Sequence, residues 1–251
     1  MPRDSWMLDR AQVQPGADFF EASIGRVMDN MRAVLEAGSV ADLFARLDAS
    51  GALLRFDDEV EPTMYRCATI SRAELEQLRR VRDIVRLGRV KRVGLEAIEL
   101  EGGSIPTSPG TVHVDCTADG LERRPVRRVF DGERITLQSV RTCQQVFSAA
   151  LLGHLEASGR SDDAKNHLAV PVPHPDSHHD WMRNELADLR NAERWNADAD
   201  LVVWLAGCRL DLNAAFVEGV DPARQMEALG AFLPMIPPAI EKLEGLLATL
   251  A

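Results

Sequence analysis

The densest cluster of chemically capable side chains is His174-Pro-Asp-Ser-His178-His179-Asp180. Two imidazoles four residues apart on a helix can ligate zinc, and aspartates can complete the set. Pro175 and the polar, proline-rich surroundings argue against a rigid helix there. The run therefore reads as surface histidines, and no metal is expected. A second candidate is Tyr65-Arg66, which holds the only tyrosine of the chain. It would give a bound ligand a stacking face and a positive charge; the alternative is a tyrosine packed at a domain boundary. A third is Gln138 and Arg141 with the helix start near Val146-Phe147-Ser148. A helix N-terminus and a guanidinium both favour an anion, although a surface arginine and an ordinary capped helix fit the same residues. The fourth is Asp115, Thr117, Ala118 and Gly120. Small residues at a strand's carboxyl end let a ligand's phosphates approach the backbone, and a plain tight turn is the alternative.

These groups need elements to hold them. Val112, Val114 and Cys116 alternate with His113 and Asp115, the period of a half-buried strand. Before it, the short runs 84–87, 90–93 and 97–100, separated by Gly88, Gly94 and Gly102-Gly103, predict an antiparallel meander burying Val90, Val93, Ile98 and Leu100 together. Residues 17–37 place Phe20, Ile24, Val27, Met28, Met31, Val34 and Leu35 on one helical face. Ser39 caps a second helix with Val40, Leu43, Phe44 and Leu47 inward, and Ser71-x-x-Glu74 is a capping box. Residues 144–156 form a helix with Val146, Phe147, Ala150, Leu151 and Leu155 as its buried stripe. Residues 159–179 read as a linker, and beyond them the chain is helical, broken by Pro234 and Pro237-Pro238.

The totals exclude several classes. With 39 acidic and 29 basic residues the formal charge is −10, which disfavours a nucleic-acid partner and gives no reason to expect an anionic membrane. Arg123-Arg124 and Arg127-Arg128 form a basic knot that either contacts an anion or is solvated loop. Cys67, Cys116, Cys143 and Cys208 are widely spaced with no C-x-x-C, so each is expected to pack as a small hydrophobe. No signal peptide or membrane span is evident, and a cytoplasmic setting is expected. G-x-G-x-x-G, P-loop, G-x-S-x-G and H-E-x-x-H patterns are absent.

The run Gly102-Gly-Ser-Ile-Pro-Thr107 leading into Val112–Gly120 resembles the late strand of NAD(P)/FAD-dependent oxidoreductases, flavoproteins with two dinucleotide-binding domains. Pro2–Arg10, Glu61–Cys67, Ile135–Cys143 and Phe147-Ser148 resemble the same family. The resemblance spans nearly this whole chain but only the C-terminal half of such a protein, and it implies that the glycine fingerprints precede Met1. It implies a chain of α/β class, mixed α+β in this part: a partial FAD/NAD(P)-binding Rossmann-like fold with a β-meander and a C-terminal helical region. Residues 1–80 would be the remnant of the NAD(P) domain, 81–158 the last part of the FAD domain, 159–179 a linker and 180–251 helical. Asp115, Thr117, Ala118 and Gly120 would flank FAD, with Gln138, Arg141, Phe147 and Ser148 toward the flavin, and Tyr65 and Arg66 on the nicotinamide or substrate side. The implied activity is hydride transfer from NAD(P)H to FAD and on to a substrate or oxygen. Without its glycine turns the chain is not expected to grip FAD alone. A missing N-terminal half or a second protomer is then the expected partner. The alternative is a non-catalytic module that pairs an exposed sheet edge and apolar faces with another chain.

Overall fold

Trp6 has no exposed surface although it lies close to the chain's start. It sits in β1 (Ser5–Asp9), which is enclosed by elements that arrive much later. The computed structural model describes residues 3–118 and 124–249. It is a mixed α+β structure with small sheets. β1 leads through two short 3-10 turns into α1 (Phe20–Glu36) and α2 (Val40–Ala49), then to β2 (Met64–Ile70), which pairs with β1 in parallel. Parallel strands need a crossover connection, and the two helices provide it. Their apolar faces are those the periodicity gives: Phe20, Met31 and Val34 on α1, and Leu43, Phe44 and Leu47 on α2, are buried. Ser39 caps α2 by accepting from Asp42 N–H, and the Ser71/Glu74 box opens α3 (Arg72–Leu78).

Among the described residues two large hydrophobic cores form, beside a small third cluster of Leu54, Ile70 and Leu75. The first joins Trp6, Met31, Val34, Phe44 and Tyr65 with Trp181, Met182 and Leu189 and with Leu243 and Leu246 near the C-terminus. The second joins Val129, Phe130, Val140, Phe147, Leu151 and Leu155 with Leu168, Trp195 and Leu201. α4 (Gln145–Ala157), α5 (Asp162–Leu168) and α7 (Ala199–Ala206) belong to this second core, and α6 (His178–Asn196) spans both. The cores therefore cross the expected divisions at residues 80 and 158, because residues 6–65 pack directly on 181–246. The rest of the helical region is α8 (Leu212–Phe216), α9 (Pro222–Phe232) and α10 (Ile236–Ala248), with Pro237 and Pro238 in the first turn of α10. There their missing N–H groups cost nothing. Among the described residues no helix is long and apolar enough to cross a membrane.

Residues 159–179 are not a solvated linker. Ser161 caps α5, Leu168, Ala169 and Val172 are buried, and Val172 N–H donates to Ser139 O. Asn166 fixes the segment by accepting from Val129 and Phe130 N–H and donating to Phe130 O. The polar residues that suggested a linker are thus hydrogen-bonding inward.

The middle of the chain differs from expectation in the opposite direction. β3 (Val90–Val93), β4 (Ala97–Leu100) and β5 (Gly103–Pro106) form the expected antiparallel meander, with Val90 opposite Leu100 and Val93 opposite Ile98. Yet only Leu100 is buried; Val90 and Val93 are about half exposed, at 56% and 50%. Residues 84–87 form no strand: the Arg86 guanidinium is drawn into a two-pronged pair with Asp4, 2.9 Å on each arm. Val112–Cys116 is also not a strand. Among the described residues it has no ladder partner, and Val112 and Val114 are 85% and 78% exposed. Alternation alone does not make a strand when no neighbouring strand is available to take up its backbone groups.

Candidate functional site

The two cores meet where β2 faces the segment before α4. Strand β2 carries two extra residues, Arg66 and Cys67, between the Trp6–Tyr65 and Met7–Ala68 pairings. Such a bulge re-aims side chains. Cys67 takes φ +54° there, and Cys143, two residues before α4, takes φ +57°. They form a disulfide with 6.5 Å between the Cα atoms, closing 76 residues of sequence. This corrects the expectation that each cysteine packs alone as a small hydrophobe; nothing in the spacing of Cys67 and Cys143 signalled it. Cys116 is exposed and Cys208 half-buried, both free.

Around the bridge stand several titratable groups. The His174 Nδ1 lies 3.9 Å from Cys143 Sγ. Thr142 N–H donates to both oxygens of Asp188, at 3.0 and 3.2 Å. Burial pushes the Asp188 carboxyl up to about 6, against the opposing pull of the Thr142 hydrogen bonds and the Arg141 charge. One helical turn earlier, burial and the neighbouring Asp188 charge push Glu185 up to about 7, with Arg26 opposing. Tyr65, wholly inside, is held well above its ordinary value by burial and then by the Glu185 charge. The Thr142 hydroxyl is buried without a hydrogen-bond partner among the described residues. Sequence reasoning missed Glu185, Asp188 and Thr142; Glu185 and Asp188 sit three apart on α6, but so do many solvated pairs.

An adjoining groove of about 860 Å³ is lined by Arg124, Arg127, Gln138, Ser139, Gln145 and His174, among others. Its volume falls in the range of small-molecule sites. Gln138 braces the groove wall, accepting from Arg127 N–H at 3.1 Å and donating to Arg127 O at 2.7 Å.

The expected site residues separate into three groups. Gln138 lines the groove. Arg141 lies behind it, 9% exposed, paired with Asp211 at 2.6 Å and stacked 3.8 Å over Phe147 and 4.9 Å from Trp195. Phe147 fills the second core, and Ser148 is buried, with its hydroxyl accepting from Val140 N–H and donating to Gln144 O. Arg141 is thus no surface arginine, and Val146, at 67% exposed, is not in the α4 stripe. Tyr65 is in the first core, while Arg66 and Arg3 converge on Asp176 at 2.8 Å each. Asp115 and Thr117 form a local turn, with Thr117 N–H and hydroxyl both donating to Asp115 Oδ1. Ala118 is exposed beside them, and Gly120 lies outside the described residues. His178 and His179 open α6 rather than a loop. Ser177 caps it, and His178 Nε2 lies 2.7 Å from Trp6 Nε1.

No family model and no solved structure matches the chain. It is 52% identical over 217 residues to uncharacterized proteins of Mycobacterium bovis and of two strains of Mycobacterium tuberculosis. That match takes in 85% of this chain but only 40% of each relative, so the chain spans well under half the length of the curated relatives it matches.

Proposed function

We propose that this chain is the C-terminal part of a flavin-dependent, NAD(P)H-linked oxidoreductase and that it supplies one wall of a partial Rossmann-like FAD/NAD(P) site. The observation that carries the reading is the groove. It combines two arginines, Arg124 and Arg127, with a fixed amide, Gln138, in a protein whose overall charge is negative. Guanidinium groups pair with diphosphate oxygens in a forked geometry. An amide can hold a polar ribityl or ribose hydroxyl. These residues fit an anionic dinucleotide, while the glycine turns that would cradle its phosphates are not in this sequence. FAD, when bound, would supply the two-electron chemistry.

The chain's own residues orient and hold protons. Arg124 and Arg127 would bind the diphosphate, and Gln138 keeps the wall in register. Glu185 and Asp188, with carboxyls raised to about 7 and about 6, can hold or release a proton near neutrality. Asp115, Thr117 and Ala118 would reach the cofactor only after the exposed segment 111–118 joins a sheet built from another part of the protein. The relatives' greater length leaves room for that part. A cytoplasmic setting goes with this reading.

The test is to purify a polypeptide of the relatives' length that contains this chain and record its absorption spectrum. Retained flavin bands that bleach on adding NADH or NADPH are expected. Arg127→Ala with Gln138→Ala should weaken flavin retention by roughly tenfold. A colourless protein that takes up no added FAD would end the proposal. A second reading, a non-catalytic module docking a further polypeptide, is favoured by the uncovered meander and the exposed Val112 and Val114. It predicts tight association of the two parts with no flavin in either.

A further inference from the structure

The Cys67–Cys143 bridge is placed unlike a passive staple. Each cysteine adopts a left-handed backbone, φ +54° and +57°, which is costly for a residue with a Cβ and persists only where the surroundings impose it. On one side the bulge of Arg66 and Cys67 imposes it. On the other, Cys143 lies just before α4, a helix of 13 residues. The positive end of that helix stabilises a thiolate, as does a nearby imidazole, and His174 Nδ1 is 3.9 Å from Cys143 Sγ. Cys67 and Cys143 are half-buried, and Ala68 and Gln145 beside them are exposed.

We propose that Cys67 and Cys143 form a reversible dithiol–disulfide couple, with Cys67 the sulfur attacked and Cys143 the leaving sulfur. The reductant is a dithiol. One of its thiolates attacks Cys67 Sγ; the Cys67–Cys143 bond breaks and its electron pair leaves on Cys143 Sγ, beside His174 and the start of α4. The reductant's second thiolate then attacks its own sulfur in the mixed disulfide, closing a cyclic disulfide and expelling the Cys67 thiolate. The two protons of the dithiol end on Cys67 and Cys143. The reductant loses two electrons and the protein gains two. Reduction unties β2, in the first core, from the lead into α4, in the second, so the couple controls how the two cores are held together. The inference does not depend on flavin binding, and its test uses none.

The folded chain is equilibrated in buffers of reduced and oxidised dithiothreitol at varied ratio, without denaturant, and its thiols are counted after alkylation. Two thiols, Cys116 and Cys208, are expected at the oxidising end and four at the reducing end. One two-electron transition should connect them, the same in both directions. His174→Asn should slow native reduction by at least roughly threefold, as a poorer leaving thiolate does, with the end-point thiol counts unchanged. The proposal is overturned if Cys67 and Cys143 are reduced only after denaturation. It is equally overturned if four thiols react under oxidising conditions, or if His174→Asn leaves the rate unchanged.

Discussion

Residues 90–118 and residues 129–201 carry apolar side chains at regular intervals in both cases, yet one stretch builds a core and the other does not. In the later stretch Val129, Phe147, Leu151, Leu155, Trp195 and Leu201 close on one another and are essentially buried. In the earlier one the strands pair as their alternation dictates, but Leu100 alone among Val90, Val93, Ile98 and Leu100 is buried. The difference lies in what covers each face. α4, α5, α6 and α7 converge on one core, whereas the β3–β5 meander leaves Val90 and Val93 about half exposed. A three-stranded sheet without a covering layer is poorly stabilised alone. The contrast sets a packed helical body against a 90–118 stretch whose apolar side chains are largely exposed.

The contrast breaks most visibly by substitution. Trp195→Ala removes a buried indole whose N–H donates to Leu168 O and should cost about 3–5 kcal/mol in denaturant unfolding. Val112→Ser with Val114→Ser should fall within about 0.5 kcal/mol of the parent. Equal costs would mean the exposed segment is part of the folded core. Slightly smaller is the effect expected of Asp211→Ala. It leaves Arg141 charged and enclosed between Phe147 and Trp195, a loss of about 3 kcal/mol, and a loss under 1 kcal/mol would show that the pair is not shielded from water.

A still smaller effect concerns pH at the junction of the cores. Folding raises Glu185 to about 7 and Asp188 to about 6 from the ordinary carboxyl values of 4.5 and 3.8. Between those limits the folded chain holds more protons than the unfolded one, so this pair's contribution to stability is fully present below about pH 4. It is lost as pH rises through 6 and 7. Glu185→Gln should flatten that part of the profile and make the variant more stable than the parent above neutrality by about 1–2 kcal/mol. Parallel profiles for the two proteins would show that Glu185 is solvated.

Much of the body was legible in sequence because its signals are local. The stripe of α1, the Ser39 and Ser71 caps, the turns of the meander and the helix at 145–157 all depend on neighbours within a few residues. What was not legible depends on distant partners. Arg141 reads from sequence as a ligand-facing cation or a surface arginine, and neither reading points to Asp211, 70 residues away, which pairs with it in the interior. Residues 159–179 read as linker because Asn166 and Ser161 are polar, and their polarity is spent on caps and on the backbone of Val129 and Phe130. Cys67 and Cys143 meet only because a bulge turns one strand residue aside. The Val112 segment failed for the converse reason: its pattern is that of a strand, and among the described residues no strand pairs with it.

Hydrogen exchange across the folded chain tests the contrast most directly, read first for this polypeptide alone and then with FAD and the remainder of a relative-length protein supplied. The account predicts that amides of α4 and α6 are protected throughout, while those of β3–β5 and residues 111–118 exchange rapidly in the isolated chain and become protected only in the completed protein. If 111–118 is already as protected as α6 in the isolated chain, or gains nothing when the rest is added, the division into a packed helical body and an exposed 90–118 stretch open to a further polypeptide is wrong.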